Sequence, residues 1–136
     1  MSNIIRNAIQ TPDGTILESH SRHDYKEYVD TVNGETYMVD GGLEYVRRNA
    51  VGEAVELTVT LDDPHEVVRE AMTWGTYGKN GDEPFRYIKL KDMTLGHICA
   101  CLEEVTNMYP QYRIAMKNEL EYRHREFQKD FGVPNE

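Results

Sequence analysis

Three glycines, three residues apart, mark the segment of this sequence best suited to binding chemistry. Gly75, Gly78 and Gly81 would let backbone amides approach a phosphate group closely, and Lys79 could neutralise its charge. The segment is not a P-loop, because no Ser or Thr follows the lysine and the order of strand and helix around it is wrong. Spacing alone favours the alternative, a mobile hairpin-like loop without a ligand.

Aromatic residues flank this glycine loop. Trp74, Tyr77 and Phe85 offer ring planes on which a purine base could stack. In the alternative interpretation, Trp74 and Phe85 are core residues that anchor the loop. A pocket here would lie around the 75–81 loop, the strand that begins at Phe85 and the start of the helix that follows.

Further side chains could complete such a pocket. Arg69, Lys79 and Arg113 are candidate phosphate partners, and arginine is preferred because its planar fork can donate to two oxygens. Asp92 could accept a hydrogen bond from ribose hydroxyls or from an exocyclic amine. The alternative places Phe85 in the core and Arg113 in surface ion pairs. The predicted ligand-binding residues are Arg69, Trp74, Thr76, Lys79, Phe85, Tyr87, Asp92, Thr94 and Arg113.

Two other groups of reactive side chains carry weaker signals. His20, His23 and Asp24 lack the additional ligands of a metal site and the strand-to-helix elbow of a nucleophile triad. We therefore expect them to hydrogen-bond the backbone at a strand junction. Cys99 and Cys101 fit neither a redox C-x-x-C motif nor a zinc half-site, so we predict free thiols that are buried or half-buried.

Length and charge restrict the partners. The chain of 136 residues suits one compact domain, and its net charge of -9 disfavours duplex nucleic acid, although a few local cations can still hold a small phosphate. No apolar run approaches the ~20 residues that cross a bilayer, and the N-terminus lacks the apolar region of a secretory signal. We expect a soluble, cytoplasmic chain without a membrane partner.

Residues 1–61 are typical of antiparallel β-structure. Short runs of alternating apolar and polar residues predict strands over 4–10, 15–19, 25–31, 35–39 and 56–61, with a further run over 43–48. The Pro12-Asp-Gly14 and Asn33-Gly34 segments predict hairpin turns, the latter of type I′. Together these signals predict a small antiparallel sheet or barrel.

Residues 62–132 change to a helical period. We predict a helix with Asp63 as its N-cap and Pro64 at its first helical position, the glycine loop, and a strand over 85–90. Thr94 is predicted to cap a second helix that ends before Pro110, and a third helix covers 111–125. The fold class is therefore α+β in a single domain over 1–136, in which a C-terminal helical hairpin follows the sheet.

The two C-terminal helices each present an apolar face. Glu119–Arg123 and Glu121–Arg125 are spaced for favourable i,i+4 pairs on the longer helix. Its apolar stripe needs a cover, so we expect a homo-oligomer. The residues predicted to close against each other, or against a neighbouring subunit, are Ile98, Leu102, Val105, Met116 and Leu120.

Short motifs in the first half resemble a small family of phage and bacterial proteins. In many of its members the first turn and the Asn-Gly turn hold zinc through cysteines, whereas this chain has Thr11-Pro-Asp-Gly14 and Val32-Asn-Gly34 there, so no zinc site is expected. The motifs that carry the resemblance are Ile5-Arg-Asn-Ala-Ile, Ile16-Leu-Glu-Ser19, Arg22-His-Asp-Tyr25, Val39-Asp-Gly-Gly42 and Glu44-Tyr-Val-Arg-Arg48.

Residues 69–122 are similar to phage proteins with the pattern G-x-x-G-K-x-G-x-x-P, an aromatic strand, Asp-Met and paired helices. The whole arrangement resembles the first type of Thoeris anti-defence protein. Those phage proteins act as sponges that sequester immune signalling nucleotides, notably glycocyclic ADP-ribose isomers and in some members cyclic di- or trinucleotides.

The resemblance implies a binding protein and not an enzyme. It implies tight nucleotide binding without turnover, no cofactor and no metal, and oligomers from dimer to hexamer in the host-cell cytoplasm. Two other classes remain open. One is a small nucleotide phosphodiesterase or hydrolase using His20, His23 or His97, and the other is an inhibitor that binds a host protein through the helix face that contains Tyr112, Met116 and Leu120.

Overall fold

The computed structural model describes residues 3–48, 53–78 and 80–130. The chain forms two compact units, Met1–Asp62 and Asp63–Glu136. The division lies next to the predicted change from β-rich to helical sequence. That the whole chain acts as one domain stays a prediction.

The N-terminal unit consists of two antiparallel sheets. The strand order is β2-β1-β6 in one sheet, where β7 also pairs with β1, and β3-β4-β5 in the other. Antiparallel β-structure is therefore confirmed, although the strand predicted over 56–61 is two short strands and the run over 43–48 pairs only at its end. The strands are β1 Ile4–Gln10, β2 Ile16–Ser19, β3 Lys26–Val29, β4 Thr36–Asp40, β5 Arg47–Arg48, β6 Val55–Glu56 and β7 Val59–Thr60.

The core of this unit joins both sheets. Ile9 of β1 and Leu17 of β2 face each other in register, and both are buried against Tyr37 and Val39 of β4. Alternate residues of a strand point to one face, so Tyr37 and Val39 share a face of β4, while Met38 and Asp40 on its other face are also buried.

Carboxylates hold the two turns of the N-terminal unit together. Asp30 accepts hydrogen bonds from the backbone N–H of Asn33 at 3.1 Å and from that of Asp13 at 2.8 Å. The predicted type I′ turn is wrong, because only Gly34 has positive φ, at 73°, whereas type I′ needs two such residues. The Asp30 carboxylate satisfies the turn N–H groups in this other conformation.

The C-terminal unit combines a β-hairpin with three helices. Helix α1 packs against α3, α2 also packs against α3, and β8 pairs with β9. Its core contains Val68, Met72, Leu90, Ile98 and Met116. These elements confirm the α+β class and the C-terminal helices. Their bounds are α1 His65–Ala71, β8 Thr73–Thr76, β9 Arg86–Lys89, a 3-10 helix Leu90–Asp92, α2 Leu95–Glu104 and α3 Pro110–Asp130.

Of the two helix N-caps predicted from the sequence, the structure confirms one. The Thr94 hydroxyl caps α2 by accepting from the N–H of His97 at 3.1 Å, as predicted. Helix α1 begins at His65, with Pro64 in the N-cap position and no side-chain cap, so the prediction of Asp63 as the cap is wrong. A proline at this position fixes an extended backbone before the helix without a capping side chain.

Strand β8 was expected to be a loop. Trp74 pairs with Ile88 and Thr76 with Arg86, so the first glycine of the loop lies within a strand. The side chain missing at Gly75 leaves room for the Phe85 ring, because a Cβ there would lie 2.6 Å from the ring's Cζ atom. Close approach, and not flexibility, explains this glycine.

The buried face of α3 is only partly apolar. Met116 is fully buried and Leu120 half-buried, but Gln111 and Glu119 are buried in the same face. Glu119 pairs with Arg123 as the i,i+4 spacing predicts. The apolar stripe on which the expected oligomer rested is therefore interrupted, and oligomerisation stays a prediction.

Across the described residues, no helix combines the length and apolar character that a membrane span requires.

Candidate functional site

A cavity of about 780 Å³ lies between the β8–β9 hairpin and helix α2. Thr76 and Arg86 face each other in register, and Ile88 follows two residues later on the same side of the hairpin. Gly78 and Glu83, in the loop that joins the strands, complete this wall. The hairpin therefore supplies a hydroxyl, a guanidinium, a carboxylate and an apolar surface.

Helix α2 forms the opposite wall with one face. The lining positions recur every three or four residues, which is the spacing of a single helical face. The volume lies within the roughly 300–1,000 Å³ typical of small-molecule sites. The helix residues on this wall are Thr94, Gly96, His97, Ala100, Cys101 and Glu104, followed by Val105 at the end of the helix.

Three charged side chains on the cavity wall have no partner among the residues that the structure describes. Within the described residues, Arg86, Glu83 and Glu104 form neither an ion pair nor a side-chain hydrogen bond. All three residues are exposed, and the half-buried imidazole of His97 is likewise without a hydrogen bond in this part of the chain. Their hydrogen-bonding capacity is therefore available to a ligand.

Gly78 makes space for the carboxylate of Glu83. The glycine has a φ of 88°, and a Cβ there would collide with the Glu83 side chain. Its N–H donates to the Thr76 hydroxyl at 3.0 Å, and the N–H of Glu83 donates to the carbonyl of Tyr77 at 2.8 Å. The open side of this glycine is thus filled by a carboxylate of the protein itself, whereas the sequence suggested a phosphate.

A buried thiol lies on the helix wall of the cavity. Burial raises the pKa of Cys101, and the negative charge of Glu104 raises it further. Cys99 is half-buried, and both cysteines are free, as predicted. Cys101 therefore stays protonated near neutral pH and is a poor nucleophile.

The structure separates the sequence-predicted site residues. Only Thr76 and Thr94 of the nine line the cavity, and Lys79 lies outside the described residues. Asp92 is exposed in the 3-10 helix and is not part of the lining. Trp74 is half-buried and packs edge-on against Tyr112, with ring centroids 5.9 Å apart.

Two of the predicted arginines have partners elsewhere. Arg69 donates two hydrogen bonds to the Glu119 carboxylate, at 2.8 and 2.9 Å. Arg113 donates to the carbonyls of Leu102 and Val105 at the end of α2, at 2.9 and 2.7 Å. Neither lines the cavity, and Arg113 closes a helix end instead of forming the surface ion pairs of the alternative interpretation.

Phe85 and Tyr87 lie on the other side of the hairpin. Tyr87 pairs with Gly75, one position out of phase with Thr76 and Arg86, so its ring points away from the cavity. Phe85 contacts both Tyr77 and Tyr87, with centroids 5.0 and 5.1 Å away. Its exposed fraction of 49% also rules out the core role considered for it.

Four polar residues of the cavity were missed in the sequence. Arg86, Glu83, His97 and Glu104 were not among the predicted ligand-binding residues. The alternation of residues 85–88 contained the signal for Arg86, because period two places it with Ile88 and opposite Phe85. Of helix α2, the predicted site included only the start, with Thr94, and His97 was considered only as a histidine of the hydrolase alternative.

A second charged cluster of this unit is buried. Glu119 is fully buried and accepts hydrogen bonds from Arg69, from Arg123 at 2.6 Å and from His65 at 2.9 Å. Burial alone would raise its pKa, but the hydrogen bonds outweigh it and lower the pKa to about 2. Arg123 also donates to the carbonyl of Met93 at 2.8 Å. This cluster ties α3 to α1 and to the end of the 3-10 helix.

The group of His20, His23 and Asp24 belongs to the N-terminal unit. The Asp24 carboxylate accepts from the backbone N–H of His20 at 2.8 Å, as predicted, and from Lys26 at 3.1 Å. Burial lowers the pKa of His20, and His23 is exposed. Over 3–48, 53–78 and 80–130, no three His, Cys, Asp or Glu side chains are grouped so that they could hold a metal ion.

Comparisons with protein-family models, with curated proteins and with solved structures each find no match to this chain. The resemblance to Thoeris anti-defence proteins therefore stays a prediction from the sequence.

Proposed function

We propose that this chain binds a small phosphate-bearing nucleotide in the cavity between β8–β9 and α2 and holds it without cleaving it. The observation that carries the proposal is Arg86, whose guanidinium lies on the wall of a cavity of about 780 Å³ and has no partner within residues 3–48, 53–78 and 80–130. Charge-assisted bidentate bonds to phosphate oxygens are the strongest contacts that such a side chain makes.

The remaining wall suits the rest of a nucleotide. Ile88 and Ala100 provide apolar surface for a base, and the hydroxyls of Thr76 and Thr94 can bond ribose or phosphate oxygens. In this arrangement the base lies against the apolar wall, because the rings of Phe85 and Tyr87 face away.

Within this proposal, the ligand is an immune signalling nucleotide such as a glycocyclic ADP-ribose isomer or a cyclic oligonucleotide. The protein is then a phage sponge that acts in the host-cell cytoplasm as a homo-oligomer. The sequence resemblance supports the assignment to immune signalling nucleotides, and the cavity supports the binding of a phosphate-bearing nucleotide in general.

The first experiment measures binding and the fate of the ligand. Calorimetric titration with glycocyclic ADP-ribose, ADP-ribose and a cyclic dinucleotide is followed by heat denaturation and mass spectrometry of the released ligand. Intact release supports sequestration, whereas a cleaved product indicates the hydrolase alternative, in which His97 is the histidine on the cavity wall. A protein that binds none of these nucleotides refutes the proposal.

Matched variants locate the site. Arg86→Gln should weaken nucleotide binding roughly 10- to 100-fold, the equivalent of about one hydrogen bond to a charged group. Lys89→Gln is the control, because Lys89 lies on the same strand and points to the other side. Equal affinities of the two variants would place the site elsewhere.

Two further variants test the site predicted from the sequence. Phe85→Ala and Arg113→Ala should bind like the parent if the ligand lies in the cavity, since neither side chain lines it. A loss in Phe85→Ala would instead favour the aromatic side of the hairpin. On the helix face considered for an inhibitor that binds a host protein, Met116 is fully buried, whereas Tyr112 and Leu120 are half-buried.

A further inference from the structure

The cavity wall carries more negative charge than positive charge. Arg86 is accompanied by two carboxylates, Glu83 and Glu104, and none of the three has a partner within the described residues. A ligand that is anionic throughout would neutralise Arg86 but would also lie against both carboxylates. A ligand that matches the whole wall must therefore bring hydrogen-bond donors together with its anionic group.

Both carboxylate residues, Glu83 and Glu104, line the cavity. Glu83 occupies the space that Gly78 leaves, and its own N–H fixes the loop by bonding the carbonyl of Tyr77. Glu104 lies one helical turn after Cys101 on the lining face of α2, close enough for its charge to act on the buried thiol. Neighbouring acids of the same type, Glu103 among them, are not part of the lining.

We propose, resting on the nucleotide-binding function above, that the ligand's base carries an amino group that donates to Glu104 and Glu83 while Arg86 holds the phosphate. An ionised carboxylate only accepts hydrogen bonds, so it favours an exocyclic amine and repels a carbonyl oxygen at the same position. The cavity thus selects amino-bearing bases over their oxo counterparts. No bond of the ligand is made or broken.

Adenosine 5′-monophosphate and inosine 5′-monophosphate test this selection, because inosine has an oxygen where adenosine has its amine. Ribose 5-phosphate is the third probe, and it carries no base. Calorimetry on the parent should show a roughly tenfold or greater preference for the adenosine nucleotide. Arg86→Gln should weaken binding of all three probes.

Matched acid-to-amide variants assign the preference to residues. Glu104→Gln should lose most of the preference for the amine, because a glutamine side chain can also donate to the inosine oxygen. Glu83→Gln should lose part of it. Glu103→Gln and Asp82→Asn are the controls and should keep the preference of the parent. All four positions are exposed, so circular dichroism should show the parental fold.

The outcomes separate the two proposals. A parent that binds both nucleotides equally well, or a Glu103→Gln variant that loses as much preference as Glu104→Gln, overturns the selection by the carboxylates and leaves nucleotide binding intact. A parent that binds neither nucleotide nor any ligand of the earlier panel overturns both proposals.

Discussion

The Glu119 cluster and the cavity wall both combine arginine with glutamate, and they differ in whether those charges are paired within the described residues. Glu119 is fully buried and receives donors from two arginines and a histidine. Arg86 and the two acids of the cavity are exposed and have no partner in the described residues. Pairing, and not residue type, therefore distinguishes a charge that stabilises the fold from one that can bind a ligand.

The two groups should also respond differently to mutation. Moving a carboxylate out of water is unfavourable by several kcal/mol, and the donors around Glu119 offset this cost only while the cluster is complete. The cavity charges remain in water, so their removal changes the electrostatics of the wall and leaves the core intact.

Replacing Glu119 should have the largest effect. Glu119→Gln leaves the guanidinium groups of Arg69 and Arg123 without their shared anion, and we expect a loss of about 3–5 kcal/mol in the free energy of unfolding. Urea denaturation measures it. Glu121→Gln, two residues along the same helix and exposed, is the control and should stay within about 0.5 kcal/mol of the parent. Similar losses in both variants would show that the cluster contributes little.

The Glu119 carboxylate should also make the free energy of unfolding depend on pH. Its pKa is lowered from 4.5 to about 2 in the folded state, so its contribution is complete above about pH 4.5 and is lost as the pH falls towards 2. The shift corresponds to about 3 kcal/mol.

The parent and Glu119→Gln are compared to isolate this contribution, since Asp13, Asp24 and Asp30 also have lowered pKa values. The difference in unfolding free energy between the parent and Glu119→Gln should shrink as the pH falls from about 5 to 2. A difference that stays constant over this range would contradict the assignment.

The sequence predicted the elements better than the site. The strands of the N-terminal unit and the capped start of α2 follow from local periodicity and from Thr94, which act over a few residues. Strand β8 was missed because Gly75 suggests a loop until Phe85, ten residues away, is seen to fill its space.

The choice between Arg69 and Arg86 depends on contacts distant in the chain. Arg69 is bonded to Glu119, which is 50 residues away, and no local pattern reveals that pair. The position of the cavity, near the glycine loop and the start of α2, could be predicted because chain neighbours form it. Its polar lining depends on strand register and on which charges are already paired.

Replacing Arg69 and Arg86 one at a time should have opposite effects on stability and on nucleotide affinity. Arg69→Gln removes two hydrogen bonds from a buried carboxylate, so we expect unfolding to become easier by about 1.5–3 kcal/mol with nucleotide affinity per folded molecule unchanged. Arg86→Gln should leave stability within about 0.5 kcal/mol and lose affinity. Urea denaturation gives the stability of each variant, and calorimetry gives its nucleotide affinity. Loss of affinity in Arg69→Gln at full folding would assign that arginine to the site.

Alanine substitutions at two glycines of the hairpin loop should have the smallest effects, and they test the role of Glu83 alone. Gly78 and Gly81 both have positive φ, 88° and 73°, so alanine at either position should destabilise the fold by about 1–2 kcal/mol. They differ in their surroundings, because a Cβ at Gly81 meets nothing within 4 Å, whereas one at Gly78 collides with the Glu83 carboxylate. Gly78→Ala should therefore displace Glu83 and reduce the preference for adenosine over inosine monophosphate, and Gly81→Ala should keep it. If both variants discriminate like the parent while calorimetry shows tight binding, Glu83 does not contact the base, and the acceptor on the cavity wall is Glu104 alone.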